Sequence, residues 1–220
     1  MDELVLSAAE RLSLTISQAR ILGALLEKQA TTPEVYPLTA NAVLLACNQK
    51  NNRDPVLELE AGEVGHALRE LEADGLIRSV HGTRAQRYEH RFAQAFSVTL
   101  RQQAILGVML LRGPQTIGEL FSRCERLTDF SSAEDVRQAL ERLQHRTPSL
   151  AVCVGRTPGQ REDRYMHLLS GPVDVAAFAS HPARISPIVE RPDLEDRVAA
   201  LEIELAALRE RLDALSHRPD

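Results

Sequence analysis

The stretch Thr15-Ile-Ser-Gln18-Ala-Arg-Ile21-Leu22-Gly23 returns later in the chain as Thr99-Leu-Arg-Gln102-Gln-Ala-Ile105-Leu106-Gly107. Two further matches follow in the same order. Val64-Gly-His-Ala67-Leu68-Arg-Glu-Leu71 aligns with Val136-Arg-Gln-Ala139-Leu140-Glu-Arg-Leu143, and Arg87-Tyr88-Glu89-His90 aligns with Arg164-Tyr165-Met166-His167. Order is kept while spacing varies, as expected when two copies of one unit differ in loop length.

Each copy reads as three helices and a hairpin. Thr15 and Thr99 each have Gln three residues on, the capping-box pattern that satisfies orphan amides at a helix start. Ile21, Leu22, Leu25 and Leu26 then share one helical face, as do Ile105, Leu106 and Met109. A second helix follows Pro37 or Pro114 and is expected over Leu38–Cys47 and Thr116–Cys124. Val56-Leu-Glu-Leu59 is a candidate short strand. The third helix turns Val64, Leu68 and Leu71 inward and stops at Gly75. Its counterpart opens on a second capping box, Ser132 with Asp135, and buries Val136, Leu140 and Leu143. Hairpins are expected from Leu76–Val80 with Arg87–Phe92, and from Leu150–Val154 with Arg164–Leu169. Alternation would put Tyr88, His90 and Phe92 on one face of the first return strand.

Three helices plus a hairpin, twice, is a mostly helical α+β chain of tandem winged helix-turn-helix domains, with the first domain expected over residues 1–92 and the second over 93–170. Residues 171–193 contain Pro172, Pro182, Pro187 and Pro192 and read as a linker. In residues 194–216, Leu194, Val198, Leu201, Leu205, Leu208, Leu212 and Leu215 recur in steps of three and four, the seam of a coiled coil. In a parallel pair, Arg197 would face Glu202 of the partner subunit, and Glu204 would face Arg209 of the partner subunit. A homodimer is therefore expected; the alternative is a helix folded back on its own chain.

Composition bounds the function. The chain has 220 residues, a net charge of −5, 4% aromatic residues and no Trp. The longest apolar run, Ala104 to Leu111, is too short to cross a bilayer. No basic-then-apolar leader precedes Leu4-Val5-Leu6, and the scattered Cys47, Cys124 and Cys153 suit a reducing compartment. A cytoplasmic protein with no membrane partner is expected. No phosphate loop, nucleophile elbow or zinc-helix motif occurs, so no enzyme activity, cofactor, metal or small-molecule substrate is expected. His90 and His167 recur at matching strand positions, which favours a structural role over ligation or catalysis.

Several long motifs carry a family resemblance. Thr31-Thr-Pro-Glu-Val-Tyr36-Pro-Leu, Ala46-Cys-Asn-Gln-Lys-Asn-Asn-Arg-Asp-Pro-Val56 and Gly159-Gln-Arg-Glu-Asp-Arg-Tyr-Met-His-Leu-Leu-Ser-Gly171 resemble the signature of the bacterial YceH-like proteins. The resemblance spans essentially the whole chain. It implies a tandem winged-helix fold in a bacterial cytoplasm; it does not imply an activity, because that family is of unknown function.

Contact residues must then be sought in charge and amide content. In the loop Asn48-Gln49-Lys50-Asn51-Asn52-Arg53-Asp54, Lys50 and Arg53 could grip phosphates while amides such as Asn52 read bases or peptide groups. Asn and Asp are equally the residues that close helices and hold turns. The first third helix is acidic, with Glu63, Glu70, Glu72 and Asp74 against Arg69, which opposes entry into a major groove. Arginine gathers at the hairpins instead: Arg78, Arg84, Arg87 and Arg91 around the first, Arg156, Arg161 and Arg164 around the second. Two readings stay open: a DNA-associated regulator that touches DNA through its wings, and an adaptor that uses the domains to hold another protein.

Overall fold

A computed structural model describes residues 13–81, 85–156 and 159–175, all within one compact unit. The first copy comprises α1 (Ile16–Thr31), a 3₁₀ turn (Pro33–Val35), β1 (Leu38–Thr39), α2 (Ala40–Cys47), α3 (Ala61–Ala73), β2 (Ile77–His81) and β3 (Gln86–His90). A short α4 (Phe92–Phe96) leads to the second: α5 (Leu100–Arg112), α6 (Ile117–Cys124), α7 (Ala133–His145), β4 (Ala151–Gly155) and β5 (Arg164–His167). The chain is thus α+β and dominated by helices, with two small antiparallel sheets among the described residues.

The capping boxes expected at Thr15 and Thr99 both form. Thr15 accepts from the Gln18 amide at 3.3 Å while Gln18 accepts from the Thr15 amide at 2.8 Å, and Thr99 and Gln102 repeat this at 3.3 and 3.0 Å. Those caps start two helices that are buried almost all round, from Gln18 to Glu27 and from Gln103 to Leu111. A helix with no solvated face must be covered on every side. α1 and α5 meet this by packing on each other, with α2 and α3 covering the first and α6 and α7 the second. One buried cluster therefore runs through both copies, from Leu22 and Leu25 to Ile105, Leu106 and Met109.

The remaining elements repeat with small differences. β2 and β3 pair antiparallel, with Ser79 opposite Tyr88, and β4 and β5 place Cys153 opposite Tyr165 with a bulge before Gly155. β1 adds Leu38 to the outer side of Tyr88. In the second copy the same position is a single bridge, Gln115 to Tyr165, held by backbone bonds of 3.0 and 2.8 Å.

Several sequence expectations are corrected. Leu38 and Thr39 belong to a strand, and α2 begins at Ala40 because Thr39 caps it, accepting from the Ala42 amide at 3.2 Å. Val56–Leu59 forms no strand: the Asn48 side chain both accepts from the Leu59 amide and donates to the Leu59 carbonyl, each at 2.9 Å. An amide side chain has taken the place of a neighbouring strand. Ser132 does cap α7, but Asp135 accepts from Ser131 at 3.1 Å, so the reciprocal half of the box is displaced by one residue. Phe92 does not extend the first hairpin; it opens α4 and packs on Phe96, ring centroids 4.7 Å apart. The leucine seam at Leu194, Val198, Leu201, Leu205, Leu208, Leu212 and Leu215, most of the proline linker and Arg84 lie outside the described residues.

The α1–α5 crossing is tightest at Gly23. A β-carbon there would stand 2.8 Å from Leu111 Cγ and 3.1 Å from Leu110 Cβ, whereas one at Gly107 would meet Leu26 Cδ1 at an ordinary 3.4 Å. Alanine gains about 1 kcal/mol of helix propensity over glycine, but overpacking costs about 1–3 kcal/mol. In urea denaturation, Gly23→Ala should destabilise the protein by about 1 kcal/mol, and Gly107→Ala should leave stability unchanged or raise it. Equal effects at the two glycines would contradict this packing.

Candidate functional site

The amide-rich loop after α2 is built around a buried arginine. Arg53 is 5% exposed, and its guanidinium sits on Glu27 of α1 through bonds of 3.1 and 2.9 Å. Nε donates to the Ala46 carbonyl at 3.1 Å; the remaining donors go to the carbonyls of Asn52 and Ala46 and to Gln49 Oε1, at 2.8–2.9 Å. All five N–H groups of Arg53 are thus committed inside the protein. Arg53 is not a phosphate-gripping residue: the turn-closing alternative fits this geometry.

The rest of the loop ties the two copies together. The Asp54 amide donates to the Leu111 carbonyl at 2.9 Å, meeting an orphan acceptor at the end of α5. Asn52 adopts φ 61°, a left-handed conformation Asn tolerates, and its Oδ1 accepts from Arg112. Buried Arg20 of α1 donates to the Cys47 carbonyl at 3.1 Å and to that of Pro55. Lys50 alone among the candidate cations of this loop is exposed. Arg20, Glu27 and Arg112 were not singled out from sequence. The usable signal was a charge inside an apolar helical stripe, Arg20 beside Ile21 and Glu27 beside Leu26.

The hairpin arginines divide into two kinds. Arg87 donates to the Pro37 carbonyl at 2.7 Å, and its repeat partner Arg164 donates to the Pro114 carbonyl at 2.9 Å. Both therefore fasten a return strand to the entry of the second helix. Arg164 is also paired with Glu119 at 2.8 Å. Arg78 is paired with Glu89. Arg156 and Arg161, by contrast, are exposed and have no hydrogen bond or ion pair among the described residues, and neither has Arg142 on the outer face of α7. The structure brings α7 and its hairpin side by side: Arg137 and Glu141 of α7 and Asp163 before β5 all act electrostatically on half-buried Tyr165.

The equivalent region of the first copy is acidic. Glu63 accepts from Ser17 at 2.6 Å, Glu70 accepts from Gln18 at 3.1 Å, and Glu72 accepts from the Ser79 amide at 2.8 Å. The hydrogen bonds from Ser79 hold the Glu72 carboxyl below its ordinary range. Cys47 and Cys124 are buried, which pushes both thiols up to about 12 and leaves them unreactive.

The repeated histidines differ in detail. His90 Nε2 lies 2.7 Å from Gln29 Oε1, and His90 Nδ1 accepts from the Phe92 amide at 3.3 Å. His167 is 3% exposed, and its Nδ1 has no hydrogen-bond partner among the described residues. Burial lowers both rings from 6.5 to about 4, with Glu89 partly opposing the shift at His90. No group of three or more His, Cys, Asp or Glu among the described residues is placed to hold a metal ion. No described helix is long and apolar enough to cross a membrane.

Comparison with known proteins gives a consistent result. Residues 14–160 match the family model described as "Protein of unknown function, DUF480". The chain is 56% identical over 198 residues to a UPF0502 protein of Mesorhizobium japonicum, covering 90% of this chain and 94% of the relative. It is 52% identical over 211 residues to a UPF0502 protein of Xanthomonas campestris pv. campestris, covering 94% of each. It is also 52% identical over 190 residues to a UPF0502 protein of Pseudomonas paraeruginosa, covering 84% of this chain and 85% of the relative. The resemblance to YceH-like proteins fits this uncharacterised bacterial group.

The loop and the histidines can each be tested. Arg53→Ala leaves the Glu27 carboxylate buried and unpaired and should cost about 3–5 kcal/mol in urea unfolding, while Lys50→Ala should stay within about 0.5 kcal/mol of the parent. A stable Arg53→Ala would make the loop a candidate contact surface again. Both histidines are neutral in the folded and unfolded states above pH 6.5, so their contribution is intact there. As pH falls from 6.5 through 4, the unfolded chain takes up protons that the folded rings refuse, and stability drops. The melting midpoint should therefore fall between pH 7 and 5, and fall less steeply in His167→Gln; parallel curves would argue against the buried ring.

Proposed function

We propose, for a chain that belongs to the DUF480 family of proteins of unknown function, a non-enzymatic, cytoplasmic, DNA-associated role carried by its second copy. On this reading each copy is a winged helix-turn-helix, with α3 and α7 in the recognition position and the hairpins as wings. The second copy makes the contact. A homodimer through the leucine seam would present that surface twice.

The observation that carries the reading is the unequal disposition of charge. Arg142, Arg156 and Arg161 are exposed and unpaired among the described residues, on adjoining elements of one copy. The matching surface of the first copy carries Glu63, Glu70, Glu72 and Asp74, with Arg78 paired to Glu89 and Arg87 bonded to the Pro37 carbonyl. Phosphate neutralisation supplies most of the sequence-independent affinity for a duplex, and the second copy offers these three arginines where the first offers exposed Lys50 and Arg69 beside an acidic α3 face. The acidic α3 face supports a second reading, in which the first copy holds a basic protein partner. The two readings assign different surfaces and can be separated.

The test is fluorescence anisotropy of the full chain on a random-sequence duplex across a salt series. The parent should bind at low salt. Arg142→Ala/Arg156→Ala/Arg161→Ala should weaken binding on every sequence and reduce the log–log salt slope by roughly one for each phosphate no longer neutralised. Light scattering should give a dimer mass for the same sample. Undetectable binding at low salt, with a defined protein co-purifying, would replace the DNA reading with the adaptor.

A further inference from the structure

The seam between the copies gathers guanidinium groups with too few carboxylates to balance them. Arg53 and Arg112 meet there through Asn52, which accepts from both. Arg123 of α6 donates to Gln115, whose own amide donates to the Arg112 and Pro114 carbonyls at 3.0 and 2.9 Å. Arg164 reaches the same Pro114 carbonyl. The carboxylates in this network are Glu27 and Glu119. Glu27 has both oxygens on Arg53, while Glu119 accepts from the Thr116 amide at 2.9 Å and is shared between Arg164 at 2.8 Å and Arg123 at 3.5 Å.

The way Arg112 and Arg123 are held is unusual. Partly buried guanidiniums are normally oriented by carboxylates, which cancel their charge. Here the Asn52 amide oxygen aims Arg112 and leaves its charge in place, while Arg123 is aimed by the Gln115 amide oxygen and shares Glu119 with Arg164. Arg112 commits one of its N–H donors to protein among the described residues, and exposed Arg126 commits none. Burial and the neighbouring charges of Arg123, Arg53 and Arg126 lower Arg112 from 12.5 to about 10, with only Glu27 acting the other way. Like charges are therefore crowded together at a rigid junction with donors to spare.

We infer that Arg112, Arg123 and Arg126 form a binding site for a phosphate group at the junction of α5, α6 and the Asn52 turn. Planar forks of N–H donors match a tetrahedral oxyanion, which would supply the missing negative charge. The site lies on residues other than Arg142, Arg156 and Arg161, so it stands whether or not the DNA reading holds. A polynucleotide backbone and a free phosphorylated small molecule share this chemistry.

The experiment uses the full-length protein with inorganic pyrophosphate as probe, titrated against chloride at constant ionic strength. Pyrophosphate should raise the melting temperature in a concentration-dependent way, because it binds the folded chain. Arg123→Ala/Arg126→Ala, confirmed folded by circular dichroism, should lose that rise and bind at least roughly tenfold more weakly. Arg142→Ala/Arg156→Ala/Arg161→Ala should keep it. Should the double variant not fold, exposed Arg126→Ala alone serves, and is expected to be no less stable than the parent in chloride. Duplex binding then identifies the phosphate carrier. Loss of duplex affinity in the seam variant assigns the site to a nucleic-acid backbone, and unchanged duplex binding assigns it to a small phosphorylated ligand. No rise in the parent, or an equal rise in a folded seam variant, overturns the site.

Discussion

The whole fold is arranged around the contact between α1 and α5. Each is the first helix of its copy, and each is apolar on more than one face, so neither copy could bury its own first helix alone. Burial of apolar surface is worth about 25 cal/mol per Å², and two helices with no solvated side bury most of theirs only by sharing it. Gly23 lets the backbones approach where Leu110 and Leu111 come across. Once that contact is made, the orientation of the two copies is set, and so is the position of every loop that bridges them.

The loop after α2 shows how the packing constrains chemistry. Placing the ends of α1 and α5 together buries Glu27, and the Leu111 carbonyl lacks a helical partner because α5 ends there. Arg53 answers the first and the Asp54 amide the second. A segment rich in donors and acceptors could be read from sequence as a recognition loop, but most of those groups are used up in satisfying a junction that the duplication created. Buried polar groups must be paired wherever they occur, and a junction between two apolar helices is where orphaned ones accumulate.

The repeat, the caps and the hairpins were legible because they depend on local spacing. Thr15 with Gln18 is a pattern that needs only one helical turn to express itself. What was not legible depends on contacts across the chain. The strand expected at Val56–Leu59 is pre-empted by the Asn48 side chain, and the strand at Leu38–Thr39 exists only because Tyr88 is there to pair with it. Phe92 fits strand alternation as well as a helix start, and Phe96 decides between them by offering a partner one turn away. For the candidate contacts, sequence found the basic hairpins but could not separate Arg87 and Arg164, which brace the fold, from Arg156 and Arg161, which face solvent. That distinction rests on whether a proline carbonyl lies within reach, a property of tertiary structure alone.

The matched roles of Arg87 and Arg164 bear on how function divides between the copies. Each donates to the carbonyl of the proline before its second helix, so this brace is common to both copies. The copies differ instead on their outward faces. The third helices share Val64, Leu68 and Leu71 with Val136, Leu140 and Leu143 on the buried side, and diverge only on the face turned outward. There α3 carries Glu63, Glu70, Glu72 and Asp74 against Arg69, while on α7 Arg137 pairs with Glu134 and Arg142 faces solvent beside Glu141. Core positions thus repeat between the copies while the outward charge differs, from an excess of carboxylates on α3 to near balance on α7. Equivalent buried faces therefore fix a common fold and leave the outward charge of each third helix free to differ.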